Sequence, residues 1–124
     1  MNIEIIKGTF SICKVKDLSK VNINDKFVFI SKTDEEISLV CSCNSVPENV
    51  ICEDKDWCCF RIGGILDFSL IGILYNVSKI LAENEIGIFV VSTYNTDYIL
   101  VKFGNMTKAV KVFEENGINI SYLE

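Results

Sequence analysis

The stretch Leu66–Lys102, LDFSLIGILYNVSKILAENEIGIFVVSTYNTDYILVK, constrains the fold more than any other part of the chain. From Ser69 to Asn84 apolar residues recur at Leu70, Ile73, Leu74, Val77, Ile80 and Leu81. That spacing draws one stripe along a helix of about four turns. Ser69 is a natural N-cap, and it leaves Gly72 inside the first helical turn. A tight turn through Gly87 follows, then the apolar run Ile88–Val91, the polar turn Ser92–Asp97 and a second strand, Asp97–Phe103. Polar residues collect at the two ends of this frame: Asp67, Phe68 and Ser69 before the helix, and Ser92 to Asp97 between the strands. Polar groups held at the ends of a rigid apolar frame are where a small ligand would be read.

The flanking pieces complete a pattern. Trp57–Ile62 (WCCFRI) reads as a strand entering Gly63-Gly64. Met106, Ala109, Val110 and Phe113 share one face of a helix over Asn105–Asn116, Gly117 suits the position just past its end, and Ile118–Tyr122 reads as a last edge strand. The order over Trp57–Tyr122 is β-α-β-β-α-β, the ferredoxin-like unit of the α+β class. Cys58-Cys59-Phe60 and Phe89-Val90-Val91 are apolar on both faces, so the sheet needs cover on both sides.

The first half is a fainter copy. Phe10–Val15 alternates as a strand, Asp17–Val21 makes a helical turn, Lys26–Ser31 and Ile37–Cys41 are strands around the polar turn Thr33–Glu36, and Ser45–Glu48 is a stub at the only proline. Glu53, Asp54, Lys55 and Asp56 read as a solvated loop. No linker rich in Pro, Gly or Ser separates the halves, so one body is expected.

Composition narrows the chemistry. The chain has 124 residues and a net charge of −5, with no basic stripe, which argues against nucleic acid. No segment reaches the ~20 apolar residues of a membrane span, and MNIEIIKGTFSIC lacks the architecture of a signal peptide. A cytoplasmic location is expected. The chain has no histidine, which removes the commonest general base. The six cysteines (Cys13, Cys41, Cys43, Cys52, Cys58 and Cys59) include no CxxC pair, so they read as small apolar residues in strands, with no metal. No phosphate loop or hydrolase elbow is present, so no catalytic residue and no cofactor is assigned.

FSLIGIL at 68–74 and STYNTDYILV at 92–101, with FSICKV, FVFISKTDEEISLVCS and the VPE turn before them, resemble the small bacterial ACT-domain proteins. These are similar to the ACT modules of aspartate kinases and of the CASTOR arginine sensors. The resemblance covers nearly the whole chain. It implies two ACT-like halves, a degenerate one over 1–61 and an ACT domain over 62–124 whose first strand begins as early as 57. It implies a non-catalytic regulatory protein that binds an amino acid or related metabolite at an ACT interface. The other reading is a ligand-free protein–protein module that dimerises or docks on a metabolic enzyme.

Carried over, the strand-to-helix loop of the family falls on Asp67, Phe68, Ser69, Leu70, Ile71, Gly72 and Ile73, and the facing turn on Thr93, Thr96 and Asp97. Where the arginine sensors carry acidic residues this chain has Ser69-Leu70-Ile71, which speaks against arginine. The chemistry suits a free amino acid: open N–H groups at a helix start for the carboxylate, Asp97 for the ammonium, and hydroxyls from Thr93 and Thr96. Each residue also has a plainer reading: Ser69 as a cap, Gly72 as a packing glycine, and Asp97 as a cap of its own turn.

Overall fold

Alternation in one strand sets the layers. In Cys58–Ile62 the side chains of Cys58, Phe60 and Ile62 join a buried core with Ile99 and Val101, while Cys59 points to the opposite face and is also fully buried. Cover on both faces, as the apolar run CCF requires, is present here. A computed structural model describes residues 2–63 and 72–123. Its seven strands are β1 (Asn2–Val15), β2 (Phe29–Lys32), β3 (Ile37–Ser42), β4 (Val50–Ile62), β5 (Phe89–Ser92), β6 (Asp97–Lys102) and β7 (Asn119–Leu123), with helices α1 (Ile73–Glu83) and α2 (Met106–Glu115). The fold is α+β, mostly strand with two helices.

The chain divides into two units, Gly8–Trp57 and Met1–Lys7 with Cys58–Glu124. Strands β1 and β4 give one end to each. The first residues of β1 fall in the second unit because they pair with β7. Asn2 to Ile6 lie parallel to Asn119 to Leu123. Two strands also run further than their patterns predict. β1 begins at Asn2, and the charged run Glu53–Asp56, expected as a solvated loop, belongs to β4 with its side chains exposed. A run exposed on both faces carries no period-two signal for a sequence reading to find.

In the second unit the strand order is β5-β6-β4-β1, with β7 also on β1. Val77 and Leu81 of α1 and Ala109, Val112 and Phe113 of α2 face the core, and the Phe60 and Phe113 rings meet edge-on, 5.6 Å apart at 87°. In the first unit the order is β2-β3-β1-β4, and Cys13, Val15, Leu39 and Cys41 form the core. No helix forms between β1 and β2. Turns take its place, held by the Asp17 carboxylate, which accepts from Ser19 N at 3.0 Å and Asn49 Nδ2 at 2.9 Å.

The units share one module. β2 and β5, β3 and β6, and the 3₁₀ turns Cys43–Ser45 and Phe103–Asn105 recur with every bound 60 residues on. In both hairpins the first loop threonine donates its N–H to the fourth loop carbonyl at 2.9 Å: Thr33 to Glu36, and Thr93 to Thr96. The second module continues into α2. The first does not.

Both helices end alike. The N–H of Ile118 reaches Phe113 O and that of Gly117 reaches Glu114 O, the paired bonds of a Schellman end, with Gly117 left-handed at φ +76°. At α1, Ile86 N–H reaches Leu81 O and Glu85 N–H reaches Ala82 O, but the left-handed residue is Glu85 at φ +59°. A Cβ in that conformation is strained. Glu85→Gly is therefore expected to raise stability by about 1 kcal/mol, and Gly117→Ala to lower it by about 1–2 kcal/mol, both read from urea unfolding. Phe113→Ala should cost about 3–5 kcal/mol in the same assay.

Candidate functional site

The start of α1 lies where Gly72 puts it. The helix begins at Ile73, with Gly72 as its N-cap in the left-handed region at φ +89°. Gly72 therefore precedes the helix, where the sequence placed it inside the first turn; Ser69, the expected N-cap, lies outside the described residues. A left-handed residue cannot continue a right-handed helix, so the stripe begins at Ile73 and runs three turns. No described atom comes within 4 Å of a Cβ built at Gly72, so its conformation, not crowding, calls for glycine here. The first backbone bond of the helix runs from Asn76 N–H to Gly72 O at 2.9 Å. The N–H groups of Ile73, Leu74 and Tyr75 come before it and have no acceptor within the helix. No acidic side chain stands in that first turn to compensate the positive end of the helix dipole. Asp67, Phe68, Ser69, Leu70 and Ile71 lie outside the described residues.

The structure brings Thr93, Thr96 and Asp97 together in the β5–β6 hairpin. Thr93 donates its hydroxyl to Thr96 O at 2.8 Å and caps the turn. Thr96 is buried, and its hydroxyl donates to Ile62 O, at the end of β4, at 2.8 Å. Both hydroxyls therefore donate within the protein. Asp97 pairs with Ser92 across the ladder and is half-buried. Among the described residues no hydrogen bond or ion pair reaches its carboxylate, and the cap of the turn is Thr93, not Asp97. No hydrogen bond among the described residues joins this turn to Gly72 or Ile73. Tyr94, at the tip, is 96% exposed.

Two further groups were not expected. Ile62 matters as a carbonyl, which no side-chain pattern reveals. Arg61 of β4 donates Nε–H to Glu4 Oε1 of β1 at 3.1 Å, and its bonds to Glu4 and Tyr98 reinforce its charge. A lone arginine opposite a lone glutamate is the signal that pairing would have revealed, had β1 been read from its start.

The family can be placed on this geometry. A family model described as an ACT domain matches residues 53–115, half of the chain. The chain belongs to the ACT-domain family. A second family model, for an N-terminal domain, matches residues 8–49. The ACT chain is similar to protein Atu0741 from Agrobacterium tumefaciens, 31% identical over 99% of this chain and 93% of the other, with a TM-score of 0.84. It is similar in fold to an aspartate kinase from Clostridium acetobutylicum, described as an allosteric enzyme, at 11% identity and a TM-score of 0.64, covering 90% of this chain and 32% of the kinase. A regulatory domain attributed to aspartate kinase from Porphyromonas gingivalis matches at 14% identity and a TM-score of 0.52, over 91% and 92% of the two chains. No curated protein matches the sequence. Among the described residues no helix is long and apolar enough to cross a membrane.

The cysteines of this ACT chain are free thiols, and burial acts on two of them strongly. It pushes both the Cys13 and the Cys59 thiol up from 9.0 to about 12. Thiols so raised are poor nucleophiles. In the unfolded chain they ionise first as pH rises, while the folded protein holds its protons, so stability must fall with rising pH. The contribution is full below about 9 and is lost as pH climbs towards about 12. Urea midpoints across that window should decline, and the decline should flatten in a Cys13→Ala, Cys59→Ala double variant.

Proposed function

We propose that this ACT protein is a non-catalytic regulatory protein that binds an amino acid or a related small metabolite. The observation that carries the reading is the Asp97 carboxylate: half-buried and without a partner among the described residues, in a turn whose threonine hydroxyls donate elsewhere. A half-buried carboxylate gains most from a cationic partner, and the ammonium of an amino acid is one. The N–H groups of Ile73, Leu74 and Tyr75, which have no acceptor within the helix, suit the carboxylate of the same ligand. The site in this reading comprises Gly72, Ile73 and Asp97, with Thr93 and Thr96 shaping the turn. Asp67, Phe68, Ser69, Leu70 and Ile71 are included from the sequence alone. ACT domains are generally regulatory domains that bind small molecules, which supports the assignment, and arginine remains a poor candidate.

The same reading takes the protein as cytoplasmic and each half as a ferredoxin-like βαββαβ unit, with the first degenerate over 1–61 and the second over 62–124. The hairpin repeated at 60 residues supports that descent, and the first half has turns where the second has α1.

A second reading has one observation in its favour. β5 ends its strand order, and Phe89, Val90 and Val91 on it are only half-buried. An apolar edge strand of this kind suits a second copy of the chain or a metabolic enzyme as partner. Light scattering across concentration separates the two: a ligand-free dimer favours the second reading, and a ligand-responsive monomer disfavours it.

Thermal unfolding with each common L-amino acid tests the proposal. A ligand at ~100 Kd stabilises by about 2.7 kcal/mol, so at least one should raise the melting temperature by several degrees. Asp97→Ala should abolish that shift. A panel with no active member would sink the reading.

A further inference from the structure

We infer that Thr96 is a positioning residue, a hydroxyl latch that holds the Asp97 turn against the end of β4 for ligand binding; this rests on the ligand reading of Asp97 given above. The two hairpins supply an internal control. Thr33 and Thr93 make the same turn bond, N–H to the fourth loop carbonyl at 2.9 Å. In the first hairpin the fourth residue is Glu36, which is exposed, and the Thr33 hydroxyl accepts its N–H at 3.2 Å. In the second it is Thr96, 4% exposed, with its hydroxyl on Ile62 O. Turn geometry alone therefore does not require a buried hydroxyl at this place. Burying one is costly unless it is bonded, and what this bond adds is a fixed link between two elements: the exit of β4, where the next residue Gly63 donates to Asn2 O at 2.8 Å, and the first residue of β6, Asp97. The corresponding residue after Glu36 is Ile37, which has no charge to aim. The latch and the carboxylate occur together in the second hairpin and are both missing from the first.

Thr96→Val keeps the shape and removes the donor; Thr96→Ser keeps the donor. Amide hydrogen exchange reads the latch without a ligand. Thr96→Val should speed exchange at the Thr93 and Gly63 amides about tenfold, the scale of one lost buried hydrogen bond, and leave the interior of α1 and α2 unchanged. Thr96→Ser should match the parent protein. With an equimolar mixture of the twenty common L-amino acids as probe, the melting shift of the parent should vanish in Thr96→Val and persist in Thr96→Ser. The inference is overturned if exchange at Thr93 and Gly63 does not change, or if it rises equally through both helices, which marks a stability role only. It is overturned too if Thr96→Val keeps the full response or Thr96→Ser loses it, and the serine arm decides if the valine variant does not fold. A parent protein unmoved by the mixture overturns the amino-acid reading itself, and the latch's part in binding goes with it, even where the exchange result is as expected.

Discussion

The second unit rests on the side chains that alternate onto one face at the end of β4. Cys58, Phe60 and Ile62 are what the apolar stripes of α1 and α2 pack against, and the edge-on contact of Phe60 with Phe113 fixes α2 against the sheet. The same strand ends in the carbonyl that receives the Thr96 hydroxyl. The core and the candidate site are thus set by one segment of backbone. A shift of one residue along β4 would turn Cys59 and Arg61 towards the helices and move the carbonyl away from the hairpin.

Much of this was legible. The 3.6-residue spacing of Val77 and Leu81, and of Ala109 and Phe113, identified both helices, and Gly117 marked an end. The polar turns at 33–36 and 93–96 were visible because threonine, asparagine and acidic residues break two apolar runs. What was hidden depends on partners distant in sequence. Asn2 to Ile6 read as strand only through pairing with β7, and Glu53 to Asp56 only through lying beside β1. Gly72 was read as lying inside the first turn of α1, but it precedes the helix through a positive φ that composition does not record.

The candidate site divides the same way. The sequence pointed to Asp97 and left open whether it capped its own turn; the structure gives that cap to Thr93. The sequence offered Thr93 and Thr96 as ligand contacts, and the structure uses both hydroxyls internally. A threonine pattern cannot say which acceptor its hydroxyl finds, since that depends on where Ile62 ends its strand.

The parallel pairing of Asn2–Ile6 with Asn119–Leu123 has a consequence for the nascent chain. Residues 8–57 contain β2, β3 and the parts of β1 and β4 that belong to their own unit, so its strands are all made early. The opening segment of β1 is fully paired only once β7, Asn119–Leu123, has been made. Until then Ile3 and Ile5, fully or almost fully buried at the end, wait beside an unfilled edge. Pairings this distant form slowly, because the whole intervening chain must be closed into a loop first. The folding of the ACT unit thus waits on the synthesis of β7, and through that interval an apolar strand edge is open to any other chain that meets it.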